Sequence, residues 1–491
     1  MHCRWSGGSL RGLEAIPVRV EVQFSRGIPF LALVGLAGAA TRESRDRVLG
    51  ALKENGFSPP RGRATVNLAP AEEPKEGASF DLAIALGLLE VSGQVRAQRG
   101  KDWWILGELA LDGSLRPVRG ALALAYAARK AGAAGVLLPS GNREEAALIE
   151  GIPVRVLDNL REVIEWVEKK REARLPISTG NSSSHSPGEP EPLPLIEGLP
   201  RLERVLELAA LGGHHLLLVG SPGNGKTLLA RTLATLLPDL APEEKREVMA
   251  LRSLAGLPLS VPGPRPFRNP HHGISLAGFL GSTGRGGRPG ELSLAHQGLL
   301  FLDEIPEFHR NVLEALRGPL ESGSFVLSRG AGRIRWPARV QVVAAMNPCP
   351  CGQSLRGEEH CRCMPSQVRR YLGKVSGPLL DRLDLVLEVP PWSPSREKEQ
   401  GRRTARSRVL ESRIRLLQSS PRIEKPESDW LDRQLESLGS SFRLRLKVRS
   451  LSQSIAALDD VERVSRPQLL EALELGLEQR LAIAATLGSP V

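Results

Sequence analysis

The chain has 491 residues, 41% of them apolar and 4% aromatic, with a formal net charge of +11. One hydrophobic core stops growing near ~250–300 residues, so this length divides into several aliphatic-cored domains, and the positive charge favours polyanionic partners. No run approaches the ~20 apolar residues of a bilayer span and the first dozen residues carry no leader-like apolar stretch, so the expectation is a chain without a helical membrane span that stays in the cytoplasm.

From residue 1 to 170, short apolar runs (18–24, 30–34, 65–69, 135–138) alternate with helical stretches such as 44–55, an α/β or α+β pattern. Residues 171–194 read REARLPISTGNSSSHSPGEPEPLP. Ser, Gly, Pro and Glu there displace nearly every buryable side chain, so the segment reads as an interdomain linker. A second unit, 195–392, opens with a helix bearing Leu202, Val205, Leu206, Leu208 and Ala209, then a buried strand at 214–220, a Gly-rich turn and another helix. Residues 393–491 form helical segments with charge on one face and Leu or Ile on the other.

Within the second unit, Gly220, Ser221, Pro222, Gly223, Asn224, Gly225, Lys226 and Thr227 spell G-x-x-x-x-G-K-T between LLLV and LLARTLATLL. The strand before and the helix after are the two contexts a phosphate loop requires. Its glycines let successive N–H groups face phosphate oxygens, Lys226 reaches the β- and γ-phosphates, and Thr227 ligates magnesium. Later, LLFLDE (299–304) is a buried strand ending in Asp303, suited to the magnesium shell, and Glu304, suited to orienting and deprotonating water. A third strand, QVVAAMNP, ends in Asn347, where open α/β sheets collect ligand-binding groups; without the other motifs this Asn would read as a turn residue. In SGPLLDRLDLVLEV, Arg382 stands between two aspartates, as an ion-pair partner or as an arginine offered to a neighbour's γ-phosphate.

These strings carry a resemblance. RPFRNPHHGIS, RPGELSLAHQGLLFLDEIPEF, VLEALRGPLESG, AAMNPCPCG and SGPLLDRLDL, with VGLAGAATRESRDRV, TVNLAPAEEPKEG, SFDLAIALGLL and GELALDGSLRPVRG nearer the start, resemble the ComM/YifB family of magnesium-chelatase-like AAA+ proteins over nearly the whole chain. The resemblance implies a Lon-protease-like α+β domain of ribosomal S5 type (1–170), an AAA+ α/β core with a parallel sheet (195–392) and a helical lid (393–491). It further implies a hexameric, ATP- and magnesium-dependent motor that acts on DNA by branch migration during recombination or natural transformation. Arg382 then takes the arginine-finger position, Asn347 that of sensor 1, and Arg443 in GSSFRLRLKVRSLSQSIAAL that of the lid arginine. Gln453, Ala457 and the opening LIEGLPRLE depart from the family pattern. An ATPase subunit of a magnesium-chelatase-type complex, acting on a partner protein, is the alternative.

In PKEGASFDLAIA, Ser79 matches the nucleophile of Lon-type proteases, but Leu122 occupies the position of the activating lysine, and Lys130 is ~12 Å further along the helix. The expected outcome is a domain without peptidase activity, serving as scaffold or DNA guide.

Cys349, Cys351, Cys361 and Cys363 form two C-x-C pairs nine residues apart. Such pairs can close a tetrahedral zinc site, with His360 as a substitute ligand; reduced thiols and a redox switch are the other readings, and Cys3 is a bystander. FVLSRGAGRIRWPARV reads as a hairpin carrying Arg329, Arg333 and Arg335, basic groups suited to phosphates, with Trp336 either stacking on a base or packing beneath. GFLGSTGRGGRPGE is too Gly-rich for a helix and reads as a flexible loop offering Arg285 and Arg288. Residues 396–415 hold eight Lys or Arg against three Glu, either an outer DNA path or a solvated helix face. His271 and His272 lack a nearby acidic or cysteine partner in the sequence and read as loop-packing or intersubunit residues.

Overall fold

The protein is described by a computed structural model covering residues 1–35, 38–70, 75, 79–176, 200–259, 264–284, 287–329, 332–356, 360–390, 408–413, 416–417, 419–437 and 442–487. Its first unit is built on a seven-stranded sheet, ordered β3-β4-β2-β1-β5-β8-β9. These strands are β1 (His2–Arg11), β2 (Glu14–Ser25), β3 (Phe30–Val34), β4 (Arg63–Ala69), β5 (Trp103–Ile105), β8 (Gly135–Pro139) and β9 (Val154–Leu157), with β6 (Glu108–Leu109) and β7 (Leu115–Arg116) forming a separate short ladder. β2 alternates buried Val18, Val20 and Val22 with polar Arg19 and Glu21, the period-2 pattern that buries one sheet face. Helices α1 (Gly38–Glu54), α2 (Asp81–Val91), α3 (Ala121–Lys130), α4 (Arg143–Ala146) and α5 (Leu160–Val167) complete the unit. Every residue of α2 except Glu90 is buried, as befits a helix apolar on all sides. Its Asp81 carboxylate accepts from Ser44 Oγ (2.6 Å) and Arg47 Nε (2.7 Å). Burial outweighs both partners and pushes this carboxyl up to about 6.

The second unit runs α6 (Pro200–Gly212), β10 (Leu216–Val219), α7 (Lys226–Leu236), α8 (Pro242–Ala255), β11 (Phe267–Arg268), α9 (Leu276–Leu280), β12 (Gly281–Ser282), β13 (Arg288–Pro289), α10 (Glu291–Leu294), β14 (Leu299–Leu302), α11 (Arg310–Ala315), α12 (Pro319–Ser322), β15 (Ser324–Arg329), β16 (Gly332–Pro337), β17 (Gln341–Met346), α13 (Pro365–Leu372), α14 (Gly377–Leu380) and β18 (Leu385–Glu388). Its five-stranded sheet is ordered β11-β14-β17-β10-β18, all neighbours parallel. The buried runs LLFL and QVVAAM, apolar but for Gln341, form its centre, covered on both faces. All strands share one direction, so their C-terminal ends make one rim, where Gly220, Asp303 and Asn347 follow β10, β14 and β17.

The last helices, α15 (Lys425–Ser437), α16 (Phe442–Leu458) and α17 (Arg466–Leu487), pack on this unit through a shared core in which Leu208, Leu218 and Leu387 meet Val448, Ile455 and Leu469. Arg204 adds ion pairs to Glu471 (2.9 Å) and Asp459 (2.7 Å). At the other end, Leu10 and Leu13, flanking the β1–β2 turn, pack on Leu251, Leu254, Ile334 and Trp336. Arg11 Nε donates to the Arg333 carbonyl (3.1 Å), Arg119 Nη2 to that of Gly287 (2.8 Å), and the Ser253 hydroxyl to the buried Glu145 carboxylate.

Several local expectations shift. The strand expected at 214–220 spans Leu216–Val219, leaving the buried His214 and the half-buried His215 in the connection before it. Gly278, Phe279 and Leu280 are helical in α9, because Ser275 Oγ caps the Gly278 N–H (3.0 Å) and Phe279 is wholly buried. Residues 171–176, assigned to the linker, stay on the first unit: Ala173 is buried and Arg174 pairs with Asp158 at 2.9 Å. The rest of the linker (177–194), Arg285, the Arg329 side chain and residues 396–407 of the basic run lie outside the described residues.

Candidate active site

The phosphate loop is set by its glycines. Gly223 (φ 82°) and Gly225 (φ 81°) hold left-handed conformations that a Cβ disfavours, and Gly225 leads directly into α7. Gly220 donates its N–H to Met346 O (3.2 Å), and Asn224 Nδ2 ties the loop to the Val389 carbonyl (2.8 Å). The loop is thereby bonded to both neighbours of β10. The α7 N-terminus adds a partial positive charge aimed at the loop.

Lys226 Nζ donates to Gly220 O (2.6 Å), Ser221 O (3.1 Å) and Asn347 Oδ1 (3.0 Å). Burial pulls its pKa down, and the Asp303 and Glu304 carboxylates act against that pull. Thr227 Oγ1 donates to Asp303 Oδ2 (3.1 Å), while Asp303 Oδ1 accepts the Glu304 N–H (3.0 Å). A hydroxyl and a carboxylate in contact, beside an ammonium held by carbonyls, are donor types that could hold a magnesium–triphosphate. Glu304 has φ 53°, a left-handed conformation uncommon for a side-chain-bearing residue, and its carboxylate is exposed on the rim rather than buried with the strand. The structure thus brings together Lys226, Thr227, Asp303, Glu304 and Asn347.

His272 is an addition that the sequence did not announce. Its Nδ1 lies 3.9 Å from Glu304 Oε2, its ring centre is 4.1 Å from that of the tilted His271 ring, and it meets Phe308 edge-on. The carboxylate partner comes from a different strand, so no local motif links the two.

Arg382 and Arg443 lie elsewhere. Asp384, two residues after Arg382, exchanges hydrogen bonds with the backbone of His215 at the start of β10, whereas Lys226 follows the end of that strand. At ~3.3 Å per residue the strand separates the two ends by ~13 Å. Arg382 donates to Arg317 O (3.0 Å), Pro378 O (2.5 Å) and Glu321 Oε1 (2.7 Å), and Arg443 donates to the same Glu321 oxygen.

Beyond Asn347 the chain turns into the cysteine cluster. The Cys349 and Cys351 sulfurs are 3.4 Å apart, Cys349 and Cys361 3.7 Å, and Cys351 and Cys361 3.8 Å; with Cys363, all four lie within 4.8 Å of one another. Zinc held tetrahedrally at ~2.3 Å would set sulfurs ~3.8 Å apart, so the cluster fits the ion. Backbone N–H groups of Gln353 and Arg362 pull the Cys351 thiol down to about 6. His360 is exposed and outside this group.

Arg333 and Arg335 on β16 are exposed, as is Arg288 on β13, while Trp336 is fully buried and packs beneath the hairpin. Of the basic run, Arg408 pairs with Glu207 (2.6 Å) and Arg413 donates to Leu211 O (2.6 Å), both on α6. In the first unit, Leu122 is buried with its N–H on Glu145 Oε1 (3.0 Å), and Lys130 is exposed at the end of α3.

Comparison with known proteins agrees with this architecture. The family described as magnesium chelatase, subunit ChlI, matches residues 193–397, and a second, subunit ChlI of Mg-chelatase, matches 20–142. The YifB protein of Escherichia coli (strain K12) is 41% identical over 96% of both chains, and the competence protein ComM of Haemophilus influenzae is 38% identical over 94% of this chain and 95% of its own. The chain belongs to the ComM/YifB family of magnesium-chelatase-like AAA+ proteins. The magnesium-chelatase 38 kDa subunit of Rhodobacter capsulatus is a more distant relative, 26% identical over 59% of this chain. This family implies ATP and magnesium. No helix among the described residues is long and apolar enough to cross a membrane.

Proposed function

We propose that this chain is a subunit of a cytoplasmic hexameric ring that hydrolyses ATP and uses the energy to move along or remodel DNA, promoting branch migration in recombination or natural transformation. One arrangement carries the reading. The groups for binding and hydrolysis gather at one end of the sheet, while Arg382 and Arg443 stand at the other, so a second copy is needed to supply arginine to the reacting phosphate. Lys226 and the loop amides would hold the phosphates, and Asn347 would orient Lys226 and contact the γ-phosphate. Thr227 and Asp303 would hold magnesium, which when bound neutralises phosphate charge. Glu304 would position the attacking water and take its proton. Cys349, Cys351, Cys361 and Cys363 would hold a structural zinc ion behind the loop.

DNA as the partner is supported by the net charge, by the exposed Arg288, Arg333 and Arg335, and by similarity to a protein named for competence. The first unit, with Leu122 in place of a base, serves as scaffold or DNA guide rather than peptidase.

The experiment is ATPase activity of wild type and Glu304→Gln with and without single-stranded, forked and three-stranded DNA, alongside strand displacement. DNA-stimulated hydrolysis with branch movement is expected. Hydrolysis that ignores DNA and moves no branch overturns the DNA reading. The two family matches favour a second reading, an ATPase subunit of a chelatase-type complex acting on a partner protein. Co-purification with a large tetrapyrrole-binding subunit would establish it.

A further inference from the structure

The convergence of Arg382 and Arg443 on one carboxylate oxygen needs a physical explanation. One guanidinium belongs to the turn before β18 and the other to the first turn of α16 in the lid, and two like charges do not gather without an anion between them. That anion is Glu321, on the short helix α12, whose Oε1 accepts from Nη2 of both arginines. Nε and Nη1 of Arg382 also donate to the carbonyls of Arg317 and Pro378, and its side chain is 10% exposed, against 42% for Arg443 and 50% for Glu321. The trio therefore carries net positive charge, with Arg443 and Glu321 at the surface and Arg382 beneath them, beside a cleft of about 420 Å³ lined by Glu321, Gly323, Arg339 and Gln341.

Lid docking does not require this trio. The apolar core shared by α6, α16 and α17 holds the lid, and Arg204 with Glu471 and Asp459, and Lys447 with Asp384 (3.5 Å), already tie it electrostatically. A bridge of an exposed carboxylate to two arginines adds little to stability. It does fix where two cationic groups point.

We propose that Glu321 is a positioning residue for hydrolysis at the neighbouring copy's triphosphate: its carboxylate yokes the exposed Arg443 to the largely covered Arg382, so that both meet the γ-phosphate across the subunit boundary together. This rests on the ring reading above. Glu321 touches no reacting atom; it acts through the arginines, holding them in register until the phosphate competes for their donors.

The test is subunit mixing. Glu321→Ala keeps its own phosphate loop and Glu304 but presents a loosened pair, whereas Glu304→Gln cannot hydrolyse but presents an intact pair. An arginine acting in trans is worth ~10³ in rate, so loosening the pair without deleting it should lower kcat ~10-fold and change KM for ATP less than ~2-fold. Glu321→Gln, which keeps one acceptor but not the charge, should fall between. Equimolar mixing of Glu321→Ala with Glu304→Gln should raise activity above the average of the two alone. Arg382→Ala mixed with Glu304→Gln is the control for the ring reading. If that control gains and the Glu321→Ala mixture does not, the yoke is refuted and the ring stands. If neither gains, action across the boundary is refuted and the yoke with it. Wild-type kcat in Glu321→Ala also overturns the proposal. Should Glu321→Ala fail to assemble by sedimentation, Glu321→Gln takes its place in the mixture, where a gain supports the yoke and no gain refutes it.

Discussion

Gly352 is turned against Pro222 so closely that a Cβ on it would stand 2.4 Å from the proline Cδ. The first belongs to the cysteine cluster and the second to the phosphate loop, so the two sites share a wall. Gly352 also has φ 76°, a conformation costing a side-chain-bearing residue about 1–2 kcal/mol.

Gly352→Ala should therefore push the loop rather than merely destabilise the turn. We expect ATP affinity, read by titration with a fluorescent nucleotide, to fall about 10-fold, which corresponds to ~1.4 kcal/mol. An unchanged Kd would show that the loop gives way freely.

The cysteine geometry predicts about one zinc ion per chain by elemental analysis. Removing it with a strong chelator, or replacing Cys361 by Ser, should lower both the melting temperature and the nucleotide affinity, because Cys349 lies two residues from Asn347. Metal-free protein with an unaltered melting temperature would assign these groups as plain thiols.

His214 is buried and His215 half-buried, and desolvation holds both pKa values below the ordinary imidazole value. His215 Nδ1 accepts the Val342 N–H (3.1 Å) and His214 Nε2 lies 2.9 Å from Ser454 Oγ of the lid. A depressed folded pKa means that the unfolded chain binds more protons below ~6.5, so stability is present above that pH and is lost as pH falls toward the folded values. The unfolding free energy from urea titrations should drop between pH 7.5 and 5.5, by up to ~1.4 kcal/mol per pH unit for each imidazole. In His215→Asn the slope should flatten, and an identical slope would assign the acid sensitivity to other groups.

Trp336 is buried among Ile334, Leu251 and Leu254 rather than offered to solvent. Trp336→Ala should cost about 3–5 kcal/mol in urea denaturation, and Trp336→Phe much less. Arg333→Ala with Arg335→Ala should leave stability within about 0.5 kcal/mol while reducing any stimulation of hydrolysis by DNA. A stable Trp336→Ala protein with selectively lost DNA response would reinstate Trp336 as a base-stacking residue.

What could be read in advance divides along physical lines. The phosphate loop, the Asp303–Glu304 strand end and the alternating strands of the first unit are local patterns in which backbone geometry follows from consecutive residues. The meeting of Arg382 with Arg443 on Glu321 depends on how the lid docks, and that is decided by Val448, Ile455 and Leu469 finding the core of another segment. His272 reaches Glu304 because β11 lies beside β14, a neighbour relation that spacing does not reveal. The helix at Gly278 was hidden for the opposite reason: glycine content argued against it, and a serine cap with one buried phenylalanine overrode that preference.

The seam where Leu10 and Leu13 cover Ile334 and Trp336 has a practical consequence. A truncated protein beginning near residue 195 would expose an oily patch on the underside of the β15–β16 hairpin and leave that hairpin without its brace. Such a fragment should stick to itself, and any force the hairpin feels in the intact chain must also be borne by the first unit.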